Sequence, residues 1–236
     1  VRAPRLGDYV CATPALRALR AAMTEAEIVL ITLPALRELV LRLPYVDRFA
    51  PFPGFPGVAQ QLFEPRTALA FLRRMQQERF DLAIKLHGSG VYANPFTLLL
   101  GARATVGFVR PEDDASLLDA ALPWPPSGRE SLRLLALLRH IGVTPRGEEF
   151  VYPLTAVDRR SAEILLHGLP RPLIGIHAGS HDPRRRWPLP YFVQVARALL
   201  HRGGSAVVIG SASEAVEAGA LARSIGPRAH SFAGRT

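Results

Sequence analysis

Cysteine is nearly absent from the 236-residue chain. Cys11 stands alone, which excludes an internal disulfide and fits a reducing compartment. Lysine is equally scarce: among 29 basic residues Lys85 is the only one, so the net charge of +9 is almost wholly arginine. That skew reflects biased genomic base composition as much as function. No apolar run reaches the length of a membrane-spanning helix, and no signal peptide is visible. Dense basic tracts and the aromatic interleaving of RNA-binding sheets are missing, which argues against nucleic acid as a partner. No cluster of His, Cys, Asp and Glu has zinc spacing, so no metal ligand is assigned. Neither a nucleophile elbow, a Walker loop nor a solenoid repeat occurs.

Hydrophobic residues make up 48% of the chain, enough for a real core in one large domain or two modest ones. Strands are expected at 27–33, 46–51, 80–86, 104–108, 173–176 and 206–209, with a short one near Ser231. Helices are expected from Thr13-Pro14 onward and at 35–43, 66–79, 94–100, 129–141, 157–166, 189–202 and 214–225. Residues 51–65 and 110–127 read as long connections rich in proline or polar residues. This alternation predicts an α/β fold with parallel sheets covered on both faces. The expected division is an N-terminal domain over 1–150, a crossing over 151–171 and a partial second unit over 172–236. Both ends are read as cut: the sequence opens at Val1 without methionine and stops at Thr236 in mid-pattern.

The run from Pro172 to Pro188 concentrates the chemistry. Leu173-Ile174-Gly175-Ile176 has strand character, and His177-Ala178-Gly179-Ser180 is a small-residue turn. Arg184, Arg185 and Arg186 follow, then Trp187-Pro188 and a helical segment. Such an order suits phosphates. Glycine lets backbone N–H groups close on an anion, the helix start adds partial positive charge, and arginine supplies forked donors. An ordinary strand–loop–helix with a solvated basic loop has the same composition, and both readings stand.

Open parallel sheets bind ligands beyond the carboxyl ends of their strands. Arg5-Leu6-Gly7-Asp8, His87-Gly88-Ser89-Gly90 and His177-Ala178-Gly179-Ser180 all meet that criterion. Asp8 is either a carboxylate interacting with a helix dipole or a general base aimed into a cleft. His87 and His177 read as hydrogen-bonded loop residues rather than metal ligands. Glu214, in Ser211-Ala212-Ser213-Glu214, either caps a helix or accepts hydrogen bonds from a ribose; sequence chemistry favours the cap.

Together these pieces resemble glycosyltransferase family nine, the bacterial ADP-heptose:lipopolysaccharide heptosyltransferases and their relatives. Arg5-Leu6-Gly7-Asp8 with Ala12-Thr13-Pro14-Ala15-Leu16-Arg17-Ala18-Leu19-Arg20 is similar to the family's opening signature. Phe80-Asp81-Leu82-Ala83-Ile84 with Leu86-His87-Gly88, then Ile176-His177-Ala178-Gly179-Ser180 with Arg185-Arg186-Trp187-Pro188, follow in the family's order. Val207-Val208-Ile209-Gly210 with Glu214, and Ala233-Gly234-Arg235-Thr236, come last. The resemblance implies a GT-B architecture of two Rossmann-like domains with mainly parallel sheets facing each other across a cleft, the second of them truncated here. It places the acceptor on the N-terminal domain, with Gly7, His87 and Gly88 as candidates, and the nucleotide-sugar on the C-terminal one.

Under that resemblance the reaction inverts the anomeric centre, needs no metal and uses no cofactor beyond the nucleotide-sugar itself, ADP-heptose first. Asp8 falls on the general base, Gly179 and Ser180 on the donor diphosphate loop, and Glu214 near the donor nucleoside. Arg185 falls where well-known heptosyltransferases have lysine. The acceptor is a lipopolysaccharide-core or related glycolipid, and the enzyme is cytoplasmic, peripheral at the inner face of the inner membrane. Two alternatives remain: transfer of another nucleotide-activated sugar, and a non-catalytic nucleotide-binding module of the same fold. The family's later Asp-Thr-Gly and His motif is absent because the chain stops at Thr236, so this polypeptide is expected to turn over little substrate.

Overall fold

Short apolar strands and amphipathic helices alternate along the chain, and every pairing between strands is parallel. The computed structural model describes residues 1, 6–58, 60–180 and 182–235. Arg5, His181 and Thr236 of the motifs above lie outside them. The chain divides into two units, Val1–Pro153 and Leu154–Thr236.

In the first unit α1 (Leu6–Ala22) leads into β1 (Val29–Thr32), α2 (Arg37–Leu41) and β2 (Arg48–Pro51), which pairs with β1. Then come α3 (Pro65–Gln77), β3 (Leu82–Ile84), α4 (Ala93–Leu98), β4 (Ala104–Val109), β5 (Ala120–Pro123) and α5 (Glu130–His140). Strands β3, β4 and β5 lie side by side in that order. Val1 runs alongside β3 in the same parallel sense: its amino group donates to the Ile84 carbonyl, and its own carbonyl accepts the Leu86 N–H at 2.8 Å. Helix α1 runs back against the strands: near its C-terminal end Arg20 pairs with Asp47, just before β2, so its start lies toward the carboxyl edge.

Two local expectations are corrected. The first helix does not begin at Thr13-Pro14; it begins at Leu6 and carries Pro14 inside it. A proline there deprives the Val10 carbonyl of its helical N–H. The Thr13 hydroxyl replaces that donor at 2.8 Å and in turn accepts the Val151 N–H at 2.9 Å. The residues that look like a helix start are thus a repaired helix interior. Secondly, the connection read over 110–127 contains β5, an edge strand paired to β4 over Val106–Val109. Its position is fixed by Asp119, whose carboxylate accepts both the backbone N–H and the hydroxyl of Thr105 at 2.8 Å. The terminal Pro123 is tolerated because the strand is at an edge.

Helix α1 serves two parts of the core. Ala12, Ala15 and Ala18 pack with Leu134, Leu135 and Leu138 of α5, their small side chains allowing close approach. Tyr9 and Leu16 pack with Leu30, Leu36 and Val40.

The second unit contains α6 (Ala156–Leu166), β6 (Leu173–Ile176), α7 (Leu189–Leu200), β7 (Ser205–Val208), α8 (Ala215–Ile225) and β8 (Ala229–Ser231). Its strands lie in the order β6, β7, β8, with α7 and α8 closing a core around Ile176, Ala206, Val208 and Leu221. A capping box of Thr155 and Asp158 starts α6. The fold is α/β, with parallel sheets in both units. Among the described residues no helix is long and apolar enough to cross a membrane.

Candidate active site

Asp8 lies in the first turn of α1. Its neighbour Tyr9 is buried and donates its hydroxyl to the Leu39 carbonyl at 3.2 Å, and burial pushes that phenol above its ordinary pKa. Tyr9 anchors the helix start, while Asp8 and Gly7 stay exposed. Among the described residues none stands within 4 Å of where a Gly7 Cβ would be. Sequence reasoning placed Asp8 in a loop ahead of the helix; the carboxylate is instead carried by the helix.

The segment after β3 holds His87 and Gly88, at the same carboxyl edge of the unit as the start of α1. Gly88 takes a left-handed φ of 57°. Beneath it lies a residue counted in the sequence only as charge. Lys85 is 0% exposed, and its Nζ donates to the carbonyls of Gly88 at 3.1 Å and Phe108 at 2.8 Å. Gly107 makes room for it, since a Cβ there would meet Lys85 Cε at 2.8 Å. Burial pulls the ammonium from 10.5 down to about 7, partly opposed by the charge of Asp113. Lys85 thus ties the turn of the acceptor-side candidates to β4.

In the second unit Gly179 and Glu214 meet beyond the carboxyl ends of β6 and β7, while Ser180 and Arg185 follow Gly179 along the loop after β6. The turn Pro183–Arg185 is capped by Asp182, whose carboxylate accepts the Arg184 N–H at 3.0 Å and grips the Arg184 guanidinium at 2.9 and 3.0 Å. Arg186 donates to the Ser180 carbonyl at 2.9 Å and reaches Glu217 at 3.6 Å. Two arginines therefore brace the loop. Arg185, with its side chain 82% exposed and 4.0 Å from Asp182, presents its charge to solvent. Trp187 stacks on Tyr191 and meets Phe192 edge-on, which seats the loop on α7.

Glu214 takes the role the sequence favoured and keeps the other open. One carboxylate oxygen accepts the Ser211 N–H at 2.7 Å and the Ser211 hydroxyl at 2.6 Å, completing a capping box. The other lies against Gly179, where any Cβ would overlap it. Hydrogen bonds from Ser211, with the charges of His177 and Arg186 behind them, hold this carboxyl below its ordinary range. A nearby cavity of about 670 Å³ at the β8 edge, lined by Arg223, His230, Phe232 and Arg235, includes none of the expected site residues. Among the described residues no group of three His, Cys, Asp or Glu side chains is placed to hold a metal.

The family model described as glycosyltransferase family 9 (heptosyltransferase) matches residues 68–236. The chain belongs to that family. A solved family 9 glycosyl transferase from Veillonella parvula superposes with a TM-score of 0.76 at 20% identity, over 99% of this chain and 68% of that one. The E. coli ADP-heptose lps heptosyltransferase II gives 0.71 at 21% identity, over 100% and 72%. E. coli heptosyltransferase WaaC with ADP gives 0.67 at 14% identity, over 98% and 74%. At such identities these likenesses speak for the fold. No curated protein matches the sequence. For a family 9 glycosyltransferase, transfer of a glycosyl group is the activity class.

Proposed function

We propose that the chain is an inverting, metal-independent transferase that moves a sugar from a nucleotide-sugar, ADP-heptose first, to a lipopolysaccharide-core or related glycolipid acceptor. It would work in the cytoplasm, peripherally at the inner face of the inner membrane. The observation that carries this reading is the loop after β6, where Arg184 and Arg186 brace the turn and a third arginine, Arg185, leaves its side chain 82% exposed. Exposed guanidinium charge on such a loop suits an anionic ligand. The heptosyltransferases it resembles in fold are named for ADP-heptose or hold ADP, which puts that donor ahead of other nucleotide-sugars.

In the proposed reaction Asp8 takes the proton of the acceptor hydroxyl while its oxygen attacks the anomeric carbon. The bond from that carbon to the donor diphosphate breaks on the opposite side, so the configuration inverts. Arg185 offsets the charge that develops on the leaving diphosphate. Backbone groups at Gly179 and Ser180 approach the same phosphates, and the Glu214 oxygen beside Gly179 accepts from the ribose. Gly7, His87 and Gly88 border the acceptor.

The test is a transfer assay on the full-length protein with a panel of nucleotide-sugars and a lipopolysaccharide-core acceptor, wild type against Asp8→Ala. Transfer from ADP-heptose, with inversion and without added divalent metal, supports the reading. Binding of nucleotide-sugar with no transfer from any donor would favour the non-catalytic module.

A further inference from the structure

The first unit carries an apolar projection that its own core does not use. Between β2 and α3 the chain folds back on itself. Gly54, at φ 83°, has the Leu62 carbonyl where a Cβ would stand, and Gly57, at φ 79°, yields that place to the Tyr92 ring. Phe52 and Phe55 hold the base, each edge-on to Phe96 at 5.0 and 5.4 Å. Beyond that base the side chains turn outward: Leu62 is 86% exposed, and Phe63, Leu69 and Tyr92 are exposed too. Leu69 occupies the outer face of α3, opposite the buried Ala68, Phe71 and Met75. Arg66 and Arg73, three residues before it and four after, share that face and are exposed. From Phe49 to Gln77 the only acid is Glu64, set against Arg66, Arg73 and Arg74.

Single exposed apolar residues need no explanation, but an ordered group of them rimmed by arginine does. An apolar tip and a basic flank are the two signals that together hold a protein on an anionic bilayer. We propose that the segment bearing Leu62 and Phe63, with the outer face of α3, docks on an anionic phospholipid surface. Leu62 and Phe63 enter the headgroup boundary, and Arg66 and Arg73 lie against lipid phosphates. The charge selects this occupant over a second copy of the chain, whose matching face would be equally basic. The inference deepens the glycolipid-acceptor reading and rests on it for its purpose: a docked first unit meets an acceptor anchored in lipid.

Flotation with vesicles tests it. The full chain should bind phosphatidylcholine vesicles containing phosphatidylglycerol, bind pure phosphatidylcholine weakly, and release as salt rises. Leu62→Asp should lower partitioning about ten-fold or more, and Arg66→Gln and Arg73→Gln about five-fold each. Arg228→Gln, on the second unit, should leave it within about two-fold. Equal losses at Arg228 and Arg66 would show that bulk charge does the binding and would overturn the proposal. So would unchanged binding by Leu62→Asp, or a lipid-free dimer that Leu62→Asp dissociates. Transfer to a water-soluble, deacylated acceptor, measured in parallel, separates the two readings. If transfer persists while vesicle binding is absent, docking fails and catalysis stands; vesicle binding that follows the variants as above without transfer supports docking and removes the catalytic reading.

Discussion

The carboxylate of the first unit and the cation of the second are presented in different ways. Asp8 sits on a 17-residue helix whose Ala12, Ala15, Ala18 and Tyr9 are locked in the core. Arg185 ends a turn with no buried residue, held in shape by Asp182 and by the arginines on either side. Backbone packing positions the first, and surface ion pairs position the second. A proton acceptor must meet one hydroxyl within hydrogen-bond reach, whereas a positive charge acts over a longer range. Under the proposed reaction the stiffer mounting belongs to the more demanding role.

That contrast is broken or sharpened first at Asp8. Asp8→Ala should lower the transfer rate by about 100- to 10,000-fold while nucleotide-sugar affinity, read by calorimetry, stays the same. Asp8→Glu should also lose about 100-fold, because a misplacement of roughly 1 Å is not absorbed by a helix fixed in the core. A glutamate variant within a few-fold of wild type would mean that the helix start gives way, and the contrast would be gone. The second unit should behave oppositely. Arg185→Ala should lose about 100-fold in kcat, as when one charge-stabilising donor is removed. Arg185→Lys should recover most of that on its adaptable loop.

Much of this was legible in the sequence because periodicity reports burial. The alternation of strands and helices, the loop after β6 and the cap formed by Glu214 all follow from local spacing. The start of α1 was not legible, since Thr13-Pro14 carries a real helix-start pattern and only the hydroxyl repair at Val10 reveals it as interior. Strand β5 was hidden because Ala120-Ala121-Leu122-Pro123 has little strand character of its own and is defined by its pairing to β4. Lys85 was passed over for a third reason. A lysine at a strand end normally reaches solvent, and the slot beside Gly107 that buries it belongs to the tertiary structure.

Lys85 gives the next prediction. A lysine whose pKa falls from 10.5 to about 7 on folding costs no stability above its unfolded value, where it is neutral in both states. Below that value the unfolded chain binds the extra proton, so stability falls as pH drops and the loss is complete once pH passes below about 7. From pH 7 to 8.5 the wild type should therefore gain about 1.5–2 kcal/mol from this group, read by urea unfolding. Lys85→Met should flatten that slope. An equal slope in the variant would mean that the ammonium is charged in the folded state and held by the Gly88 and Phe108 carbonyls. A smaller effect is expected at Thr13. Thr13→Val leaves the Val10 carbonyl and the Val151 N–H without their partner and should cost about 1–2 kcal/mol of stability. An unchanged midpoint would show that α1 is held without the repair.

Glu214 has the smallest expected effect and discriminates best within the second unit. One of its oxygens serves Ser211 and the other faces Gly179, so the two roles can be separated. Glu214→Ala removes both; it should lower the unfolding midpoint slightly and weaken nucleotide-sugar binding by about ten-fold, as for one charge-assisted hydrogen bond. Free diphosphate should bind the variant at least as tightly as wild type, because a negative charge has left the loop. Ser211→Ala disturbs only the cap, and should move the midpoint without touching donor affinity. If the two variants weaken the donor equally, Glu214 acts through the shape of the loop and makes no contact with the ribose. If neither does, the charge on Arg185 holds the donor with no help from this carboxylate, and the second unit relies on a single adaptable cation where the first relies on a fixed acid.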